Sequence, residues 1–202
     1  MSIALGVAAA LGALTSCYQP GTDRDELHDA LEPPTDLFGD GGSVTHDAGV
    51  TVDAAPGCAH ETALSALRIV VRTTPLGGRY QPKNIGAIWI ETSGGAFVKT
   101  VKRWANRRRQ YLSTFNSVSG QDLTDAISGA TLTAHITHDV TWNLTDRSRC
   151  EVPEGDYRVA IELTDRDGPG AVARFPFHKG TAPSMSTPAD TAQFHDLLID
   201  LH

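Results

Sequence analysis

A chain of 202 residues is long enough for one domain of ordinary size with tails, or for two small domains. Apolar residues make up 40% of it, which is enough to form a core. The formal net charge of -7 argues against nucleic-acid binding, because a nucleic-acid partner requires a positive surface. The sequence therefore predicts no nucleic-acid partner.

Residues 1–16 are small and apolar, and they are too short to span a bilayer, so they predict an export signal. Leu14-Thr15-Ser16-Cys17 resembles the lipobox of bacterial lipoproteins, where the signal is cut before the cysteine and the thiol is acylated. No Lys or Arg precedes the apolar run, so we expect the true start upstream. The resemblance implies a lipid anchor on Cys17 in the bacterial cell envelope, in the periplasm or at the surface. A buried N-terminal helix is the alternative.

Residues 17–58 are acidic and rich in Pro, Gly, Asp and Ala, with Arg24 as the single basic residue. Such a segment buries too little apolar surface to offset its ordering entropy, so we expect a disordered tether. We place the folded domain at residues 59–202. With Cys17 assigned to lipid, Cys58 and Cys150 remain as one possible disulfide pair in an oxidising compartment. Two unrelated thiols are the alternative, because a bridge requires close Cα atoms.

The first half of the folded domain predicts three strands. Leu67, Ile69 and Val71 alternate with Arg68, Val70 and Arg72, which is the period of a strand with one buried face. Residues 84–91 form an apolar run typical of a central strand buried on both faces. After a glycine turn, residues 96–101 predict its hairpin partner.

Residues 103–116 change period and predict a short amphipathic helix or an irregular crossover. One stripe of this helix comprises Trp104, Arg108, Tyr111, Leu112 and Phe115. The run from Lys99 to Arg109 carries six of the seventeen basic residues, which could neutralise a phosphate. A solvated helix face is the alternative, and it is the commoner outcome for a charge run.

Residues 117–130 predict a surface loop that presents one unusual segment. Asp125-Ala126-Ile127-Ser128-Gly129-Ala130-Thr131 resembles the flavinylation signal of FMN-binding subunits in membrane-bound electron-transfer complexes, where a transferase links FMN through its phosphate to the final threonine. The resemblance implies that Thr131 is the acceptor, that Ser128, Gly129 and Ala130 allow the flavin to approach, and that Asp125 orients the hydroxyl or a transferase metal. The alternative is a plain small-residue turn before a strand.

Residues 131–145 predict a strand that contains His135 and His138. A separation of three places two residues on opposite faces of a regular strand but close together in a bulge. A metal pair lacks a convincing third ligand. His135 as a hydrogen-bond partner of a flavin is better motivated, and two ordinary surface histidines remain the commoner outcome.

Three further strands complete the domain, at residues 157–163, 171–178 and 194–201. Pro176 predicts an edge strand or a bulge. Residues 165–168 predict a hairpin turn, whose two acids are too few to indicate a calcium site. These elements together predict an all-β fold, an immunoglobulin-like β-sandwich of about seven strands with one short helix.

Several motifs point to one family: Pro82–Glu91, Phe97–Thr100, Trp104, Tyr111-Leu112, Asp125–Thr131, and Val140–Trp142 through Gly155–Tyr157. Over residues 65–178 they together resemble a predicted periplasmic family, domain-of-unknown-function family 2271. Members are associated with flavin transferases and membrane electron transfer, so the resemblance implies a redox role.

The sequence therefore predicts a lipid-anchored envelope protein that carries FMN covalently on Thr131 and transfers electrons. The isoalloxazine would pack on Trp104, Tyr111 or Trp142, and the partners would be a flavin transferase, envelope electron-transfer proteins and the membrane. An electron carrier or binding protein is favoured over a turnover enzyme, because we find no nucleophile elbow and no metal-ligand cluster. The alternative function is a non-catalytic immunoglobulin-like envelope module for binding or structure.

Overall fold

The computed structural model describes residue 58 and residues 63–202, which form a sandwich of two β-sheets. Within these residues there are nine strands and one α-helix: β1 (Leu67–Thr73), β2 (Ile85–Thr92), β3 (Phe97–Trp104), α1 (Ser113–Ser119), β4 (Ile127–Gly129), β5 (Thr137–Trp142), β6 (Gly155–Thr164), β7 (Ala171–Lys179), β8 (Ser184–Ser186) and β9 (Phe194–Leu201). The prediction of an all-β sandwich with one short helix is confirmed. The strand count exceeds seven because β4 and β8 have three residues each, too few to show a period.

The predicted signal peptide, the lipidation site Cys17, and the tether except for Cys58 lie outside the described residues. The predicted domain start at residue 59 also lies outside them. Cys58 itself is joined to Cys150 by a disulfide, with the two Cα atoms 4.9 Å apart. The predicted pairing is therefore supported, and it ties residue 58 to the loop between β5 and β6.

The strand order is β5-β1-β9-β8 in one sheet and β4-β3-β2-β6-β7 in the other. Neighbouring strands are antiparallel except for β3 and β4, which are parallel. Alternating residues of β1 and β5 point between the sheets, as the period of two requires. Pro176 lies in β7, an edge strand, as predicted.

Strand β2 is buried on both faces, which confirms the prediction for residues 84–91. Ile88 and Ile90 belong to the core between the sheets. Ala87 and Trp89 belong to a second cluster on the outer face, and Phe115 of α1 lies 5.7 Å from the Trp89 ring. The single helix therefore covers the outside of this sheet.

Helix α1 begins at Ser113, so the prediction of one helix from Trp104 to Phe115 is wrong, and the chain between β3 and α1 is the irregular crossover given as the alternative. Trp104 ends β3 and faces the core between the sheets, whereas Phe115 packs on the outer cluster. The helix has no side-chain cap of its own. Instead, the buried Glu162 of β6 accepts hydrogen bonds from the backbone N–H groups of Thr114 and Phe115. Burial raises the pKa of this carboxyl group, and these hydrogen bonds oppose the rise.

Candidate functional site

The Asp125–Thr131 segment lies at the edge of the larger sheet. Residues 117–130 are not loop throughout, because Ile127–Gly129 forms β4 and pairs in parallel with Lys102–Trp104 of β3. Ser128, Gly129 and Ala130 are exposed. The strand predicted from residue 131 begins only at Thr137. Within the Asp125–Thr131 segment, residues 127–129 are therefore held by pairing with β3. The chain that follows Thr131 has no regular secondary structure until β5 begins at Thr137.

The carboxylate of Asp125 does not orient the Thr131 hydroxyl, contrary to one of the roles predicted for it. It accepts hydrogen bonds from Arg149 Nε at 3.1 Å and from Lys99 Nζ at 3.2 Å. These bonds, that from Arg149 first, hold the pKa of Asp125 below its usual range. The carboxylate thus remains charged at neutral pH and anchors the start of the segment to two cations.

The hydroxyl of Thr131 is buried and has no hydrogen-bond partner, although the residue as a whole is half-buried. An unsatisfied buried polar group costs about 1–3 kcal/mol. Rotation about χ1 would turn this oxygen to another staggered position without breaking a hydrogen bond. The hydroxyl is therefore held by packing alone.

Asn84 anchors the chain that follows Thr131, a role that we did not predict from the sequence. Its backbone N–H and C=O pair with Leu132, and its side-chain Nδ2 donates to the carbonyl oxygen of Ala134 at 3.0 Å. Its Oδ1 accepts a hydrogen bond from Trp104 Nε1 at 2.9 Å. One fully buried side chain thus connects the acceptor segment to β3.

Thr131 lines an open cleft with a volume of about 470 Å³, which we call the Thr131 cleft. Its walls are Tyr80, Lys83, Asn106, Arg107, Arg108, Ala130, Thr131, Leu132 and Thr133. Within the part of the chain that the structure describes, no acidic side chain lines it. Neither Lys83 nor Arg107 has an ion-pair partner among the residues that the structure describes. The cleft therefore has an uncompensated positive charge beside the Thr131 side chain, which favours an anion.

A planar wall stands on one side of the Thr131 cleft. The Arg108 guanidinium lies 3.6 Å from the centre of the Tyr80 ring. Asp167 holds both groups, because it accepts from the Tyr80 hydroxyl at 2.6 Å and pairs with Arg108 Nε at 3.3 Å. The hydrogen bond to Asp167 raises the pKa of the Tyr80 hydroxyl. We did not identify Tyr80 from the sequence, where it carries no motif.

A family model for a predicted periplasmic protein, DUF2271, matches residues 78–193. The chain belongs to this family. The match includes Asn84, the Asp125–Thr131 segment and every residue that lines the Thr131 cleft. No curated protein and no solved structure matches the DUF2271 chain. Within the described residues, no helix has both the length and the hydropathy to cross a bilayer.

Two of the three aromatic residues predicted to pack on a flavin are core residues of the DUF2271 chain. Trp104 is 1% exposed and Trp142 is 2% exposed, so neither offers a free ring face, and these two assignments are wrong. Both indole rings pack in the core between the sheets. Tyr111 is half-buried and packs against the outer cluster. It does not line the Thr131 cleft, but its ring centre lies 5.6 Å from the guanidinium of Arg108, which does.

His138 of the DUF2271 chain is 1% exposed, so its prediction as a surface residue is wrong. Its ring stacks on Trp104 at 4.1 Å between centroids, and neither ring nitrogen has a partner. Burial, followed by the charges of Lys102 and His135, lowers its pKa to about 4.

His135 is half-buried, and both of its ring nitrogens are buried without a partner. Burial also lowers its pKa. The side chain is not part of the wall of the Thr131 cleft. The described part of the chain contains no group of three metal-ligating side chains.

Proposed function

We propose that this DUF2271 protein carries FMN as a phosphodiester on Thr131 and acts as an electron carrier of the cell envelope, with a lipid anchor on Cys17. The observation that supports the proposal is a cleft wall in which Thr131 stands beside Lys83 and Arg107, two cations without an ion-pair partner among the described residues. The Thr131 hydroxyl is buried and unpartnered, and rotation about χ1 would have to turn it toward the cleft. Its partners would be a flavin transferase and other envelope electron-transfer proteins.

The residues of the Thr131 cleft fit a phosphate-linked flavin. Lys83 and Arg107 would neutralise the phosphodiester, for which a guanidinium fork and an ammonium are both suited. The cleft volume of about 470 Å³ falls in the range of about 300–1,000 Å³ that is common for ligand pockets. Tyr80 and Arg108 would supply the planar wall. Once bound, a flavin supplies electron transfer, and the protein supplies position and electrostatics.

The attachment step requires an external enzyme, because no described residue contacts the Thr131 hydroxyl as a base. In this step Thr131 Oγ1 forms a bond to the FMN phosphorus of a flavin adenine dinucleotide. The bond from that phosphorus to the AMP oxygen breaks, and AMP leaves. The hydroxyl proton passes to a base of the transferase, and no electrons change hands. The product is a threonyl phosphodiester.

The test is the intact mass of the full chain after co-expression with a bacterial flavin transferase. We expect wild type to gain the mass of FMN less one water, and Thr131→Ala to gain nothing. Thr133→Ala is the matched control, because Thr133 is a second hydroxyl residue of the same cleft, and it should gain the same mass as wild type. The flavin fluorescence of wild type should survive denaturation.

Two results would overturn the proposal. An equal mass gain in wild type and Thr131→Ala would place the bond on another residue. No gain in wild type would remove the covalent flavin and leave the non-catalytic envelope module as the better account.

A further inference from the structure

In the part of the chain that the structure describes, strand β4 has one edge without a pairing strand, and it belongs to the flavinylation-like segment itself. There it is the outermost strand of its sheet and pairs with β3 alone. All three of its residues, Ile127–Gly129, are exposed. The unpaired backbone groups of an edge strand can pair with an extended segment of another protein, a mode of recognition known as strand addition.

Beside this edge is a second cleft, with a volume of about 390 Å³, which we call the Ile127 cleft. Its walls are Ser65, Ala66, Lys99, Thr100, Val101, Asp125, Ile127, Thr141, Trp142 and Asn143. It lies between β4 and β5, which are the outer strands of their respective sheets. Ile127 is 50% exposed and is one of four large exposed hydrophobic residues among those described. An apolar side chain at an open strand edge is a typical contact for a partner.

The charges in the Ile127 cleft are already balanced within the chain. Lys99, whose side chain is 3% exposed, donates to Asp125 and to the carbonyl oxygen of Asp146. The hydroxyl of Thr100 donates to a backbone carbonyl oxygen at 2.6 Å, and Trp142 Nε1 donates to another at 2.8 Å. A charged occupant would find no free counter-charge here, so the cleft fits an uncharged, apolar side chain.

We infer that the free edge of β4 docks one extended, uncharged segment of the flavin transferase. The segment adds a strand beside Ile127–Gly129 and places an apolar side chain on Ile127. Thr131 lies two residues beyond the end of β4, so this docking brings the enzyme to the acceptor hydroxyl. The inference rests on the proposed function, and it specifies how the transferase recognises its substrate.

The test compares the initial rates of flavin attachment to full-chain variants, with a purified bacterial flavin transferase and FAD as the probes. Ile127→Lys places a charge on the docking edge, and we expect the rate to fall at least about tenfold, which corresponds to about 1.4 kcal/mol of lost binding. Met185→Lys is the matched control, because β8 is also a three-residue edge strand and Met185 is 70% exposed. Its rate should stay within about twofold of wild type.

A second measurement avoids any effect of substitution on β4. The amides of residues 127–129 should exchange more slowly with deuterium when the transferase binds the Thr131→Ala chain, which cannot be modified. The amides of β8 should exchange at unchanged rates. Protection of the first set alone would support strand addition, whereas equal exchange with and without the transferase would overturn it.

The outcomes separate the two proposals. Wild type without bound flavin contradicts the proposed function. If wild type and Ile127→Lys gain flavin at equal rates, the docking site is wrong. The proposed function is unaffected by that result.

Discussion

Lys83 and Arg107 are the two residues of the Thr131 cleft whose positive charges have no partner in the described part of the chain. A cation that already has an acidic partner gains little from a bound phosphate, whereas an unpaired one gains a charge-assisted hydrogen bond. Arg108 differs from them because Asp167 already holds it. These two residues should therefore dominate the recognition of a flavin phosphate.

We expect the double variant Lys83→Gln/Arg107→Gln to lose at least about tenfold in the rate of flavin attachment, because hydrogen bonds to charged groups contribute about 1.5–3 kcal/mol each. The unfolding midpoint should not change, since neither cation has an ion-pair partner within residues 63–202. The rate is measured by flavin fluorescence in denaturing gels. Arg109→Gln is the control, because Arg109 is exposed and lies outside the cleft walls. An unchanged rate in the double variant would remove the phosphate site.

His138 makes the stability of the fold depend on pH. Its pKa is about 4 in the folded protein and about 6.5 when unfolded, so the unfolded chain binds the proton first as the pH falls. The free energy of unfolding should therefore decrease between pH 6.5 and 4, by about 3 kcal/mol in total and about 2 kcal/mol by pH 5. Above about pH 7.5 this group has almost no effect.

The measurement is urea unfolding of wild type and His138→Gln from pH 7.5 to 5. The variant should show a flatter dependence, whatever its stability at pH 7.5. The remaining slope should include His135, whose pKa burial also lowers. Parallel curves for the two proteins would show that His138 is not the titrating group.

At the scale of elements, the acceptor segment is held at two points. Strand β4 pairs with β3, and Asn84 binds the chain at Leu132 and Ala134. Thr131 lies between these two attachments. Because the backbone is fixed on both sides, the Thr131 side chain can rotate without moving the segment. This arrangement suits a hydroxyl that an enzyme must modify.

Asn84→Ala should remove the second attachment and leave Trp104 Nε1 buried without an acceptor. We expect the free energy of unfolding to fall by about 2–4 kcal/mol and the rate of flavin attachment to fall with it. Urea unfolding and intact mass report the two effects. Asn106→Ala is the matched control, because Asn106 is an exposed asparagine of the same cleft. Equal stability of the two variants would contradict the anchor role.

At the scale of the whole molecule, the disulfide closes a long loop. Cys58 and Cys150 are 92 residues apart in the sequence, and the bridge limits the unfolded chain far more than the folded one. Cys58→Ala/Cys150→Ala should therefore lower the free energy of unfolding by about 2–4 kcal/mol. Urea unfolding measures the loss. Reduced wild type should match the double variant, and a double variant as stable as oxidised wild type would contradict this role.

The sequence by itself determined the long strands and the family. Strand β1 alternates over seven residues and β2 is apolar from Ile85 to Ile90, so local pattern alone specified their buried faces. In β6 the pattern indicates one buried face, whereas Ala160 and Glu162 on the other face are buried as well. The Asp125–Thr131 segment and the cysteine pair were also identified without coordinates, because both depend on residue type and spacing.

Only the tertiary structure decided the environment of these residues. Strand β4 exists because a distant strand supplies its hydrogen bonds, and the Thr131 cleft combines residues from positions 80 to 133. Trp104 and His138 are buried together because β3 and β5 face each other across the sandwich. Such placements depend on contacts between segments far apart in the chain, and a local sequence pattern contains no record of them.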